Sequence, residues 1–141
     1  MLQQAVGLES RPVTIEVEKG AILKFAQAIG DDNPLWSDEA AARKTRYGGL
    51  IAPPTFLRSL GMVRPELPFD MPFHRLLDDG SDWEYLGPVR PGDRITALAR
   101  ITELRERAGR LGLMIFMTNV VTYRNQFDEV VATQTSTLIR Y

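Results

Sequence analysis

Acid–base chemistry in this sequence has few parts to draw on. His74 is the only imidazole and there is no cysteine, so thiolate nucleophiles, poly-histidine metal sites and disulfide frameworks are excluded. His74 is the one side chain that titrates near neutrality unperturbed. Lying just after Pro72, it reads either as a proton carrier or as a solvated, locally bonded group at a strand edge. Asp31 stands in the run Gly30-Asp31-Asp32-Asn33-Pro34-Leu35-Trp36. Its carboxylate has two readings: an acid/base acting on a substrate, or an Asx-turn former that bonds a backbone N–H two residues on. Asn33 divides in the same way between organising the loop and touching a substrate, and Pro34 is structural. Trp36 either packs over the loop or lines a pocket with its apolar face. Thr55 offers its hydroxyl to a carbonyl or to a helix cap. Asp78, Asp79 and Asp82 surround an Asp-Asp-Gly turn signal that backbone preference explains, and no metal is assigned to them. Arg105, Arg107 and Arg110 are phosphate contacts or a solvated strand-end turn.

The elements that must position these groups follow from pattern. With 141 residues, 44% hydrophobic and 25% charged, the chain reads as one domain spanning 1–141 with a real core. Seventeen basic and 18 acidic side chains give a net charge of −1, which leaves no footprint for nucleic acid or a polybasic membrane contact. The start MLQQAVGLESRP has no signal-peptide pattern and no apolar run is long enough for a membrane helix, so a soluble cytoplasmic protein is expected. Thr14 to Val17 is a β-rich piece, followed by Ile22, Phe25, Ala26 and Ile29 at helical spacing, with Gly30 placed to end the helix. Ser37 is positioned to cap a short helix carrying Asp38 and Glu39 first and Arg43 and Lys44 last. Pro53 and Pro54 open a helix over Pro54 to Leu60 that ends at Gly61, and Phe56, Leu57, Leu60 and Met62 predict that it is buried. The second half predicts strands at Arg75–Leu77 and Trp83–Leu86 around the Asp78-Asp79-Gly80 turn, then Ile95–Leu104, Leu111–Tyr123 and Val130–Tyr141. Leu111–Tyr123 is apolar on both faces, as suits a central strand covered by the buried helix on one side and a second subunit on the other. The order predicts an α+β fold, an antiparallel meander curved around a buried helix.

Two stretches taken together, Phe25-Ala26-Gln27-Ala28-Ile29-Gly30-Asp31-Asp32-Asn33-Pro34-Leu35-Trp36 and Tyr47-Gly48-Gly49-Leu50-Ile51-Ala52-Pro53-Pro54-Thr55-Phe56, resemble the hotdog-fold MaoC-like dehydratases. The Ala-Pro-Pro-Thr-Phe run is similar to the N-terminal-type dehydratase domain of that family. Trp83-Glu84-Tyr85 and Pro88-Val89-Arg90-Pro91-Gly92-Asp93 resemble its strand and following turn. The resemblance implies a single hotdog domain and (R)-specific hydration of enoyl thioesters, or the reverse dehydration of 3-hydroxyacyl thioesters. In that family an Asp-x-Asn-Pro-x-His run holds and activates the water, one group taking a proton while another gives one. Here Asp31, Asn33 and Pro34 match, but Trp36 replaces the histidine, and an indole N–H is a donor with no basic nitrogen. Pro54 replaces the glycine whose N–H would meet the thioester carbonyl, leaving the Thr55 backbone as the nearest donor.

Three functions follow from the resemblance. The first is a hydratase/dehydratase with Asp31 as acid/base and its missing partner supplied by water, His74 or another chain. The second is a non-catalytic hotdog subunit that shapes the acyl channel beside a catalytic partner. The third is a hotdog thioesterase, which has no motif behind it. Asn33, Trp36 and Thr55 are the expected substrate contacts. No cofactor is expected beyond coenzyme A or acyl carrier protein as part of the substrate, and the expected assembly is a homodimer, or a heterodimer with another hotdog subunit.

Overall fold

The second half of the chain makes a sheet because it is rich in strand formers: apolar side chains recur at every second position over Ile95–Ile101, and Leu111–Tyr123 is apolar on both faces. In the computed structural model, which describes residues 2–141, strands β1 (Val13–Glu16), β2 (Leu76–Tyr85), β3 (Arg94–Gly109), β4 (Gly112–Arg124) and β5 (Val130–Arg140) form one antiparallel sheet in the order β1-β3-β4-β5-β2. Along β4, Ile115, Met117, Asn119, Val121 and Tyr123 are buried while the residues between them are half-buried. This matches the two-faced pattern of the sequence.

Two strands differ from the sequence reading. The Asp78-Asp79-Gly80 signal does not separate two strands: β2 runs through it with a register shift between Asp78 and Ser81. Gly80 takes φ 98° and donates its N–H to Asp78 Oδ1 at 2.8 Å, so the local preference is satisfied inside a bulge that leaves both flanks paired with β5. Likewise the strand expected over Ile95–Leu104 does not stop at Leu104. β3 continues to Gly109, which pairs with Gly112 across a two-residue turn, Arg110-Leu111.

The helices lie between β1 and β2 in the chain and pack on one face of the sheet. Helix α1 (Lys19–Ala28) buries Ile22 and Ala26. Gly30, at φ 71°, ends it: the Gly30 N–H reaches the Gln27 carbonyl and the Asp31 N–H the Ala26 carbonyl, a Schellman closure. Helix α2 (Pro34–Ser37) is one turn, and α3 (Glu39–Arg43) follows. Ser37 is not the cap of α3. Asp38 is, its Oδ1 accepting from the Ala41 N–H at 3.1 Å, because Pro34 starts a turn earlier than the pattern suggests and uses Ser37 as its last residue.

The central helix Pro54–Leu60 is a 3-10 helix. Phe56 and Leu57 are buried in the core with Ile95, Ala97, Val121, Tyr123 and Ala132, while Phe25 meets Phe56 edge-to-face at 5.6 Å. Met62, expected inside, is 66% exposed, since Gly61 at φ 78° turns the chain away. A second cluster (Ala5, Ile101, Leu104, Ile115, Met117) lies under Leu67, Phe69, Met71 and Phe73, from the segment between the central helix and β2, together with a short 3-10 turn at Leu2–Ala5 that the sequence pattern does not announce.

Leu57 is the most buried side chain of the central helix, so Leu57→Ala is expected to cost about 2–5 kcal/mol through lost burial and the cavity left behind. Denaturant unfolding measures it; an unchanged midpoint would mean the helix does not hold the sheet.

Candidate functional site

The site grows out of the end of α1. Once the Schellman closure has fixed the backbone of Asp31, its Oδ1 accepts the Asn33 N–H at 3.1 Å, and Asn33 Oδ1 in turn accepts the Leu35 N–H at 3.0 Å. These two Asx turns start α2 and drive Trp36 inward, where it is 7% exposed. The Leu35 carbonyl accepts the Ile51 N–H at 3.1 Å and the Val89 carbonyl accepts the Ala52 N–H at 2.7 Å, so the segment before the central helix is stitched to both neighbours. Arg90 Nη1 donates to the Tyr47 carbonyl, closing the far side.

Together these segments and the end of β2 enclose a cleft of about 460 Å³. Trp36, Ile51, Ala52, Pro53, Leu57 and Val131 make it mainly apolar, and Tyr47, Arg46, Tyr85 and Leu86 line the rest. Arg46 stacks on the Tyr47 ring at 4.9 Å and donates to its hydroxyl at 2.7 Å. Trp36 Nε1 is buried without a hydrogen-bond partner among the described residues.

The residues singled out in the sequence fall in different places. Trp36 lines the cleft. Asp31 is half-buried in a separate depression beside Leu23, Gln27, Asp32 and Ser37. His74 is exposed in a third, with Phe73, Arg75, Leu111 and Tyr141. Asn33 is occupied in capping α2, its side chain bonded to Leu35. Thr55 is exposed on the first turn of the central helix, while Pro54 beside it reaches the cleft. Asp31, Trp36 and His74 are thus not gathered into one cavity. Arg105 is paired with Glu103 at 3.2 Å and lies over Phe116, away from the cleft.

Sequence reasoning missed the buried polar groups of the sheet. Asn119, Gln134 and Tyr123 lie on the core face of β4 and β5, and the Tyr123 hydroxyl donates to Gln134 Oε1 at 3.3 Å. The signal was present: a polar residue at a core position inside the apolar run Ile115–Val121. Burial pushes the Tyr123 phenol up to about 12; the charge of Arg58 partly offsets this and Tyr85 adds to it. The phenol therefore remains a donor at any ordinary pH.

The fold agrees with that of similar proteins. The model of the FAS1-like, dehydratase domain region matches residues 4–134, and the chain belongs to that family. It is 34% identical over 99 residues to a UPF0336 protein of Streptomyces avermitilis, covering 67% of this chain and 66% of that one. It is 30% identical over 138 residues to a probable enoyl-CoA hydratase alpha subunit of Thermomonospora curvata, covering 85% of this chain and 43% of the longer relative. The MaoC-like dehydratase of Rhodospirillum rubrum superposes with a TM-score of 0.80 at 26% identity, over 100% of this chain and 95% of that one. The same fold recurs, with a TM-score of 0.79 at 23% identity, in the ChsH1-ChsH2 complex of Mycobacterium tuberculosis, over 94% of this chain and 84% of that one. The fold is the hotdog of the MaoC-like hydratases and dehydratases, as the two sequence stretches implied. Among the described residues no helix is long and apolar enough to cross a membrane.

The raised Tyr123 value sets an alkaline limit on stability. A phenol harder to ionise in the folded than in the unfolded chain contributes stability that is whole below its ordinary value of 10.0 and is lost as pH rises towards about 12. Denaturation midpoints are expected to fall over that window, and to fall less in Tyr123→Phe. An identical fall in the variant would place the limit elsewhere.

Proposed function

We propose that this chain is the acyl-binding subunit of a MaoC-like hydratase/dehydratase of acyl thioesters, working beside a hotdog partner that carries the complete Asp/His pair. The observation that carries this reading is the position of Trp36: the residue standing where the family resemblance calls for a histidine is buried in the wall of an apolar cleft. Hydration of an enoyl thioester needs one group to take a proton from water and one to give a proton to the carbon skeleton, both within reach of the same water. An indole accepts no proton. The Asp31 carboxylate is bonded into its own loop and lines another depression, and His74 lines a third.

What the cleft offers instead is apolar wall for an acyl chain, with the polar edge of Arg46 and Tyr47 at one side. The relative from Thermomonospora curvata carries the name of an alpha subunit, and the Mycobacterium tuberculosis fold relative is a complex of two proteins. Both support a role shared between chains. The substrate is an enoyl or 3-hydroxyacyl thioester of coenzyme A or acyl carrier protein, and no further cofactor is called for.

Trp36 lines the cleft, so its share of the tryptophan fluorescence reports on occupancy there. Titrating the purified chain with decenoyl-coenzyme A is expected to give saturable binding, hydration at the uncatalysed rate, and neither changed by Asp31→Asn. Hydration by the chain alone that drops about 10²-fold or more in Asp31→Asn would instead make Asp31 the acid/base and this chain an enzyme by itself.

A further inference from the structure

Beyond the cleft, the same face of the sheet carries a pocket that the acyl-binding reading leaves unexplained. Cross-strand partners share a face, so the register lays out three rows from β4 through β5 to β2: Tyr123, Ala132 and Tyr85; Val121, Gln134 and Trp83; Asn119, Ser136 and Ser81. The first row borders the apolar cleft through Tyr85, and the ring of Trp83 stacks on both Tyr85 (5.8 Å) and Tyr123 (5.5 Å). The third row is wholly polar and lines a second cavity of about 200 Å³. From Tyr85 to Ser81 the strand advances about 13 Å, at about 3.3 Å per residue.

The chemistry of that cavity is specific. Asn119 is 3% exposed, yet its Oδ1 has no hydrogen-bond partner among the described residues. A buried acceptor left unpaired is costly, so it calls for a donor. Beside it Gln134 is 8% exposed; its Oε1 is taken by Tyr123, which leaves its Nε2 to donate. The chemistry that matches both amides is that of a hydroxyl, carried by a ligand or a water, which can donate to Asn119 and accept from Gln134. Arg58, Arg64 and Asp78 stand at the rim, with Asp78 bonded to its own Gly80 N–H.

We infer that this pocket receives a hydroxyl at the far end of the acyl chain, whose thioester end lies in the apolar cleft; the inference rests on the acyl-binding reading above. The substrates it selects are hydroxylated acyl thioesters, distinguished from plain ones by Asn119 and Gln134.

The test uses the full chain and the coenzyme A thioesters of decanoate, ω-hydroxydecanoate, ω-methoxydecanoate and 3-hydroxydecanoate, with calorimetry for affinity. The ω-hydroxy ligand is expected to bind about tenfold more tightly than decanoyl, since a site built around a hydroxyl rejects the analogue without one. The methoxy ligand, which accepts but does not donate, is expected to lose that advantage. Asn119→Leu and Gln134→Met, made separately and checked for folding by circular dichroism, should each erase the preference, so that decanoyl binds at least as tightly as ω-hydroxydecanoyl. Equal binding of hydroxy and plain ligands would overturn the inference, with a buried water left to satisfy Asn119. A preference confined to the 3-hydroxy ligand and abolished by Asn119→Leu would also overturn it, by placing the hydroxyl next to the thioester. If no thioester binds, the acyl-binding reading falls. Free decanol then decides the pocket: binding seen by calorimetry and lost in Asn119→Leu supports the hydroxyl chemistry, and no binding overturns it.

Discussion

Two consecutive side-chain-to-backbone bonds, Asp31 to the Asn33 N–H and Asn33 to the Leu35 N–H, determine where the rest of the site goes. They follow directly on the closure of α1 at Gly30, so the chain has no freedom between the helix and Trp36. The indole is delivered into the core, the Leu35 carbonyl meets the Ile51 N–H, and the segment leading to the central helix is held against the loop around Val89. The wall of the cleft is therefore a consequence of the same carboxylate that the family resemblance would use for catalysis. One oxygen of that carboxylate is committed to the turn, and through it Asp31 contributes to the geometry of the cleft.

The sheet supplies the second half of the site. A 3-10 helix of seven residues buries only Phe56 and Leu57, which leaves room on both sides of it against the sheet. On one side the room is apolar; on the other, the register of β4, β5 and β2 places amides and hydroxyls on the inner face. Polar groups inside a core are tolerated when they are bonded. Tyr123 and Gln134 are bonded to each other, and Asn119 stands apart, its oxygen without a partner among the described residues, which is why the hydroxyl contact proposed above rests on it.

Much of this was legible in the residues. The helix stop at Gly30, the Asx alternative for Asp31, the structural role of Asn33 and the pocket-lining alternative for Trp36 all follow from residue type and position, because each is a local interaction. The Asp-Asp-Gly run was misleading for the same reason: its local preference is real, but strand pairing on both flanks turned a hairpin signal into a bulge. Asp38 displaced Ser37 as a cap because Pro34 began a turn that the short pattern did not reveal. The separation of Asp31, Trp36 and His74 into three depressions, and the alignment of Asn119 with Ser136 and Ser81, depend on long-range register. No spacing within one segment encodes that.

The central claim is that this chain contributes an acyl site and lacks the proton-transfer pair. The most direct measurement is the rate of decenoyl-coenzyme A hydration as the chain is titrated into a fixed amount of a hotdog protein from the same cell that carries an intact Asp-x-Asn-Pro-x-His run. The account predicts a rise to a plateau at equimolar ratio, with Asp31→Asn in this chain reaching the same plateau. A rate that does not depend on the added chain, or a plateau that collapses with Asp31→Asn, would contradict it.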